Sequence, residues 1–101
     1  MTETEFTQLA DAVFDHIEQL ADAALLDCAR SGAVLEIERD DGAKIIVNRH
    51  TPMQEIWLAA KSGGFHYAWQ TGQGGWHSQR DGSELFAKLA ELAGWQHAPV
   101  G

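Results

Sequence analysis

The chain has 101 residues, seven Lys and Arg against fifteen Asp and Glu, a formal net charge of −8, and 45% hydrophobic residues. One domain with one modest core fits this length, because domains cluster at about 100–150 residues. The acidic balance excludes a general nucleic-acid binder, since neutralising phosphates takes clustered Lys and Arg, and no apolar run approaches the roughly 18 residues of a membrane span.

The first residues carry neither the basic start nor the apolar stretch of a secretory signal. A single cysteine, Cys28, cannot make an internal disulfide. Both features lead us to expect a reducing, cytoplasmic setting. The charge is also uneven. Residues 1–41 hold eleven acids and two bases, Arg30 and Arg39, whereas residues 42–101 hold four acids and five bases. The net charges are −9 and +1, so the whole negative excess lies in the first two-fifths of the chain.

In chain order, residues 4–25 read as one amphipathic helix. Phe6, Leu9, Ala10, Val13, Ile17, Leu20 and Ala24 recur at three- and four-residue spacing, with no Gly or Pro between them. Arg30, Ser31 and Gly32 read as a connecting loop. From Ala33 the period drops to two, with Leu35 and Ile37 alternating with Glu36 and Glu38. Asp41-Gly42 is a tight-turn signal, returning Lys44–Arg49 as a hairpin partner. Thr51-Pro52 ends that strand, Gln54–Ala60 is the next, and Ser62-Gly63-Gly64 turns into Phe65–Gln70. A short strand follows around Trp76. Asp81 and Glu84 stand at capping-box separation before Leu85, Leu89, Leu92 and Ala93, and Gly94 suits a helix end.

The expected architecture is a single α+β domain over residues 1–101, a two-layer sandwich. Two terminal helices (4–25 and 82–94) pack on one face of an antiparallel sheet (33–78) of about five to six strands. A short, loose tail from Trp95 is expected to close it.

Asp11, Asp15, Glu18 and Asp22 are spaced by four, three and four residues. At 100° per residue they fall within about 60° of one another, roughly opposite the apolar stripe. No Lys or Arg occurs before Arg30, so this face lacks the compensating i,i+4 pairs worth about 0.2–0.5 kcal/mol each on an ordinary solvated helix. It reads either as an acidic solubility face or as a ridge for cations or a basic partner. On a convex, hydrated helix such carboxylates are hard ligands that cannot enclose an ion, so Fe²⁺, Fe³⁺, Mn²⁺ or Ca²⁺ would bind weakly and exchange quickly.

The five histidines show no metal-motif spacing, Cys28 has no His or Lys beside it to activate it, and neither glycine-rich turn is a phosphate loop. No enzyme is expected. In the strand Gln54–Ala60, Ile56 and Leu58 share the face that meets the helices, which sends Glu55 and Trp57 to the opposite face. By the same parity Asn48 and His50 join them. Two helices leave that face uncovered, so Trp57 is either a lid shielded by its neighbours or a binding anchor. Trp69 and Trp76 are expected in the core or at the sheet edge, and Trp95 at the end of the second helix.

The run from Lys44 to Ala60, containing Asn48, Thr51-Pro52 and Ile56-Trp57-Leu58-Ala59, and the following Ser62-Gly63-Gly64-Phe65-His66-Tyr67 resemble the central sheet of frataxins, most closely those of bacteria. Glu5-Phe6, Leu9-Ala10-Asp11, Asp27-Cys28 before the first strand and Asp81-Gly82-Ser83 agree, so the resemblance covers about residues 5–94. It implies an iron-binding accessory protein of iron–sulfur cluster assembly. Such a protein acts on the cysteine desulfurase and its scaffold as iron donor, sensor or regulator. The family's acidic ridge maps onto Asp11, Asp15, Glu18 and Asp22, with iron (Fe²⁺ or Fe³⁺) held weakly and exchangeably. Its exposed-sheet tryptophan maps onto Trp57, with Asn48 beside it, as a partner-binding surface that Glu55 shares by parity.

Two departures bear on the number and strength of iron sites. Gln19 stands where relatives often carry an acid, and the link Ala23–Ser31 is shorter and less acidic than in enterobacterial members. The alternative is an acidic docking module that modulates the desulfurase without physiological metal. Weak ferroxidase activity, attributed to some relatives, has no di-iron motif here to support it. A monomer is expected, with metal-induced association left open.

Overall fold

In a computed structural model of the chain, which describes residues 1–72 and 74–95, helix α1 (Glu3–Ala23) starts at a reciprocal cap. Glu5 N–H donates to Thr2 Oγ1 and Thr2 N–H donates to Glu5 Oε1, both at 3.0 Å, which satisfies two otherwise orphaned donors. Its buried face is Phe6, Ala10, Val13, Phe14, Ile17 and Ala21. Phe14 and Ala21 are additions to the expected stripe, and Leu9 and Leu20 lie half-buried at its margins.

The helix ends two residues before the expected position 25. There Leu25 turns left-handed, with φ 59°. Leu26 N–H reaches back to Ala21 O at 2.9 Å and Leu25 N–H to Asp22 O at 3.0 Å. This closing pattern normally places glycine where Leu25 stands.

Six strands follow: β1 (Asp27–Ser31), β2 (Val34–Glu38), β3 (Lys44–His50), β4 (Glu55–Ala60), β5 (Gly63–Gln70) and β6 (Gly75–His77). They pair antiparallel in chain order as a meander. The sheet therefore begins at Asp27 rather than at 33. The segment expected as a link is strand β1, with Asp27 and Cys28 inside it, and Arg30 and Ser31 are strand rather than loop. In the β2–β3 connection, Gly42 takes φ +85° as the last residue of a turn closed by its own N–H on Arg39 O, and Asp41 Oδ1 accepts from Ala43 N. Gln54, expected to open β4, sits instead in the preceding turn with φ 52°.

Helix α2 (Leu85–Ala93) starts later than the expected 82. Its cap is Glu84, whose carboxylate accepts from Phe86 N at 2.8 Å and Ala87 N at 3.0 Å. Asp81 instead accepts from Ser83 N in the turn before it. Gly94 ends the helix in the left-handed conformation.

Leu35, Ile37, Ile45, Val47, Ile56, Leu58, Tyr67 and Trp76 point to one side of the sheet and form a single core with Phe6, Val13 and Ile17 of α1 and Leu85 and Leu89 of α2. Both helices thus cover the same face, as expected. Trp76 is buried edge-on to Phe6, and Trp69 and Trp95 pack partly buried against the core. The remainder of the expected loose tail lies outside the described residues.

Leu25 is 89% exposed, so its side chain contributes little packing to offset the cost of a left-handed backbone. Leu25→Gly should stabilise the fold by about 0.5–1 kcal/mol after glycine's own entropic penalty. Thermal unfolding should shift upward by roughly 2–8 °C; a lower midpoint would contradict this account of the helix end.

Candidate functional site

The predicted ridge residues Asp11, Asp15 and Glu18 do come together on α1, but they are not unpaired. Arg30 Nη1 donates to Asp15 Oδ1 at 2.8 Å and to Glu18 Oε1 at 3.0 Å, and Arg30 Nη2 donates to Asp11 Oδ1 at 3.1 Å. Arg49 Nη1 donates to the same Asp11 oxygen. This corrects the reading of a ridge without compensating partners. Arg30 lies opposite Leu35, and Arg49 opposite Ile56, in the strand register. Strand parity therefore turns both side chains toward the helix layer. Phe14 is the floor beneath them: the Arg30 and Arg49 guanidinium carbons lie 5.2 and 6.0 Å from its ring centroid, within cation–π range.

Four carboxylates against two guanidiniums leave the ridge at −2. The hydrogen bonds that Arg30 donates to Asp15 and then to Glu18 push its guanidinium pKa up from its usual value. The pairs remain water-exposed, since the Arg30 side chain keeps 30% of its surface and Asp15 keeps 67%. Exposed pairs of this kind are worth about 0.2–1 kcal/mol each, so a competing cation can displace them. Asp22 is exposed and has no ion pair among the described residues. Among the described residues no group of three or more His, Cys, Asp or Glu side chains is placed to hold a metal ion. An iron ion carried here as cargo would meet hard oxygen donors on one side and keep water on the other.

The second predicted surface lies on the uncovered face of the sheet. Trp57 sits opposite Asn48 on β3 and His66 on β5, while Glu55 sits opposite His50. The expected group of Asn48, His50, Glu55 and Trp57 is thus assembled by register. His66 completes it. The Trp57 ring is stacked between two imidazoles, His50 at 4.0 Å and 9° and His66 at 4.3 Å and 8°. Its indole N–H donates to Glu55 Oε1 at 2.7 Å, and that oxygen lies 3.8 Å from His66 Nδ1.

Both faces and the polar edge of Trp57 are therefore engaged within the chain. The anchor is fixed in advance, which lowers the ordering cost of binding. A partner meets a flat stripe of three parallel rings, not a free indole. The His66 contribution was legible in principle, because parity from Phe65–Gln70 puts it on this face. His66 stacks on Trp57 as its directly opposed partner, whereas the His50 stack depends on the diagonal offset between β3 and β4, which composition does not reveal.

Beyond His66 an open cleft of about 520 Å³ continues from the stripe, lined in part by Glu55, Ala68, Gln79, Arg80 and Asp81. His16 is exposed on α1, edge-on to Phe86 at 4.9 Å. Burial first, and the Glu18 charge second, push the Cys28 thiol up, so it stays protonated at neutral pH and is a poor nucleophile.

The family model for the frataxin-like domain matches residues 1–97. The chain is similar to the iron-sulfur cluster assembly protein CyaY of Janthinobacterium sp. (strain Marseille), at 54% identity over 95% of this chain and 90% of that protein. It is also similar to the protein of the same name from Neisseria meningitidis serogroup B, at 52% identity over 90% of this chain and 85% of that protein. Among solved structures, the frataxin of Psychromonas ingrahamii superimposes with a TM-score of 0.82 at 32% identity, covering 90% of this chain and 87% of that one. The trimeric frataxin of Saccharomyces cerevisiae, complexed with ferrous iron, gives 0.67 at 27% identity, covering 90% and 81%. With a family model spanning nearly the whole chain, relatives above 50% identity and the same two helices on an antiparallel sheet, the chain belongs to the frataxin family.

Proposed function

We propose that this protein is an iron-binding accessory of iron–sulfur cluster assembly, working in the bacterial cytoplasm on the cysteine desulfurase and its scaffold. The observation that carries this reading is the pairing, in a frataxin fold, of a net-negative ridge on α1 with a prebuilt aromatic stripe on the uncovered sheet face. The ridge supplies hard oxygen donors for weakly held iron and a field for a basic surface of the desulfurase. The stripe supplies a rigid contact for the scaffold. Among the described residues no helix is long and apolar enough to cross a membrane. No catalytic role is assigned: the acids lie on an open helix surface, and iron oxidation with this protein should run no faster than in buffer.

A second reading is favoured by one observation. The ridge already seats a guanidinium, that of Arg30, so its carboxylates are spaced to receive a partner's arginine without any metal. Anaerobic Fe²⁺ titration followed residue by residue separates the two. Changes confined to the amides around Asp15, Glu18 and Asp22 support iron carriage; their absence at millimolar iron leaves electrostatic docking alone.

Two variants test the surfaces separately. The triple change Asp15→Lys, Glu18→Lys and Asp22→Lys should weaken desulfurase binding at least tenfold and lower its on-rate, with the amide spectrum checking the fold. Unchanged affinity would remove the ridge from the interface. Trp57→Ala should leave desulfurase binding alone and weaken scaffold binding by about 2 kcal/mol, roughly thirtyfold, read by calorimetry.

A further inference from the structure

We propose that His66 is a proton-controlled grip on Trp57: charging its imidazole locks the indole to Glu55 and so sets how firmly the aromatic stripe is held ready for a partner. As regulation of docking, this rests on the reading of the stripe as a contact surface; the grip itself is a property of the free chain. Three histidines share the uncovered face. Register aligns His50, Glu55, Ala68 and His77 in one row across the sheet, and Asn48, Trp57 and His66 in the next. Imidazole is the side chain whose charge ordinarily changes between about pH 5 and 8, so each of the three is a candidate to switch the stripe.

Geometry singles out one. His50 Nδ1 and His77 Nδ1 are buried with no hydrogen-bond partner among the described residues, and a proton added there would be a buried N–H without an acceptor. The His66 side chain is 57% exposed, and its Nδ1 lies 3.8 Å from Glu55 Oε1; no other histidine among the described residues has a carboxylate so near. That carboxylate is only 18% exposed and already accepts the indole N–H. A proton on His66 therefore gains a largely buried counter-charge and, with the rings stacked at 4.3 Å, a cation–π contact. Arg80 and Asp81 line the cleft beside His66 with opposite signs. The Ser83 backbone N–H holds the Asp81 carboxyl below its usual range, so both stay charged as His66 titrates and offset each other. Neutral, the His66 ring keeps only its stacking. Charged, it joins the ring face to the carboxylate that holds the ring's edge.

NMR of the free protein over about pH 5 to 8 tests the grip. The Trp57 indole N–H signal, identified by its loss in Trp57→Phe, should move in step with the His66 ring signals. Its heteronuclear NOE should rise toward acid as the ring stiffens. His66→Gln, a change at an exposed side chain, should abolish both effects, and Glu55→Gln, which keeps an acceptor for the indole, should shrink them. An indole signal that stays put across this range, or that moves equally in the His66→Gln protein, overturns the grip. With the scaffold protein, calorimetry should find binding roughly two- to fivefold tighter at the acid end, and level in His66→Gln. Affinity independent of pH with the grip intact overturns the regulation alone. Absence of binding at either pH rejects the contact surface, and the regulation with it, while the grip stands.

Discussion

Two helices can cover only one side of a six-stranded sheet, and the rest of the molecule follows from that limit. Each central strand sends its apolar residues to one side, where Leu35, Ile45, Ile56 and Tyr67 meet α1 and α2. Among the described residues, no layer lies above what the same strands send to the other side. That parity gathers Asn48, Glu55, Trp57 and His66 on the far face. It also turns Arg30 and Arg49 back toward the helices, under the acids of α1. One geometric rule thus produces both surfaces.

The two surfaces differ in what holds them ready. On the open face, Trp57 is fixed by two stacked imidazoles and one carboxylate, so little order remains to be imposed by a partner. On the ridge, the carboxylates are held by water-exposed ion pairs, which are weak enough to be exchanged. A rigid surface suits shape recognition, and an exchangeable one suits a cargo that must arrive and leave.

Much of this was legible in the order of residues, and what was not has physical reasons. The period-two runs in β2, β3 and β4 placed the core and the far face because burial on one side enforces alternation. Strand β1 was missed because Asp27–Ser31 contains no apolar alternation; it packs through Cys28 and is otherwise mostly exposed. The start of α2 was placed too early because Asp81 and Glu84 are both credible caps, and only the backbone at Glu84 decides between them. The ridge was legible as a row of acids. Its neutralisation was not, because Arg30 stands 12 to 19 residues from the acids it pairs, far outside the i,i+4 spacing of one helix, on a strand with no apolar alternation.

That strand has one more consequence. Among the described residues β1 pairs with β2 alone, and there its outer row of N–H and C=O groups is open to any extended chain that drifts against it. It is five residues long, and Arg30 is a charge turned inward from its edge. Short length and inward charge are two of the devices by which sheet proteins blunt such an edge. The guanidinium that occupies the ridge therefore also discourages edge-to-edge stacking of copies, and losing it would expose the chain to aggregation through the sheet as well as altering what the helix can hold.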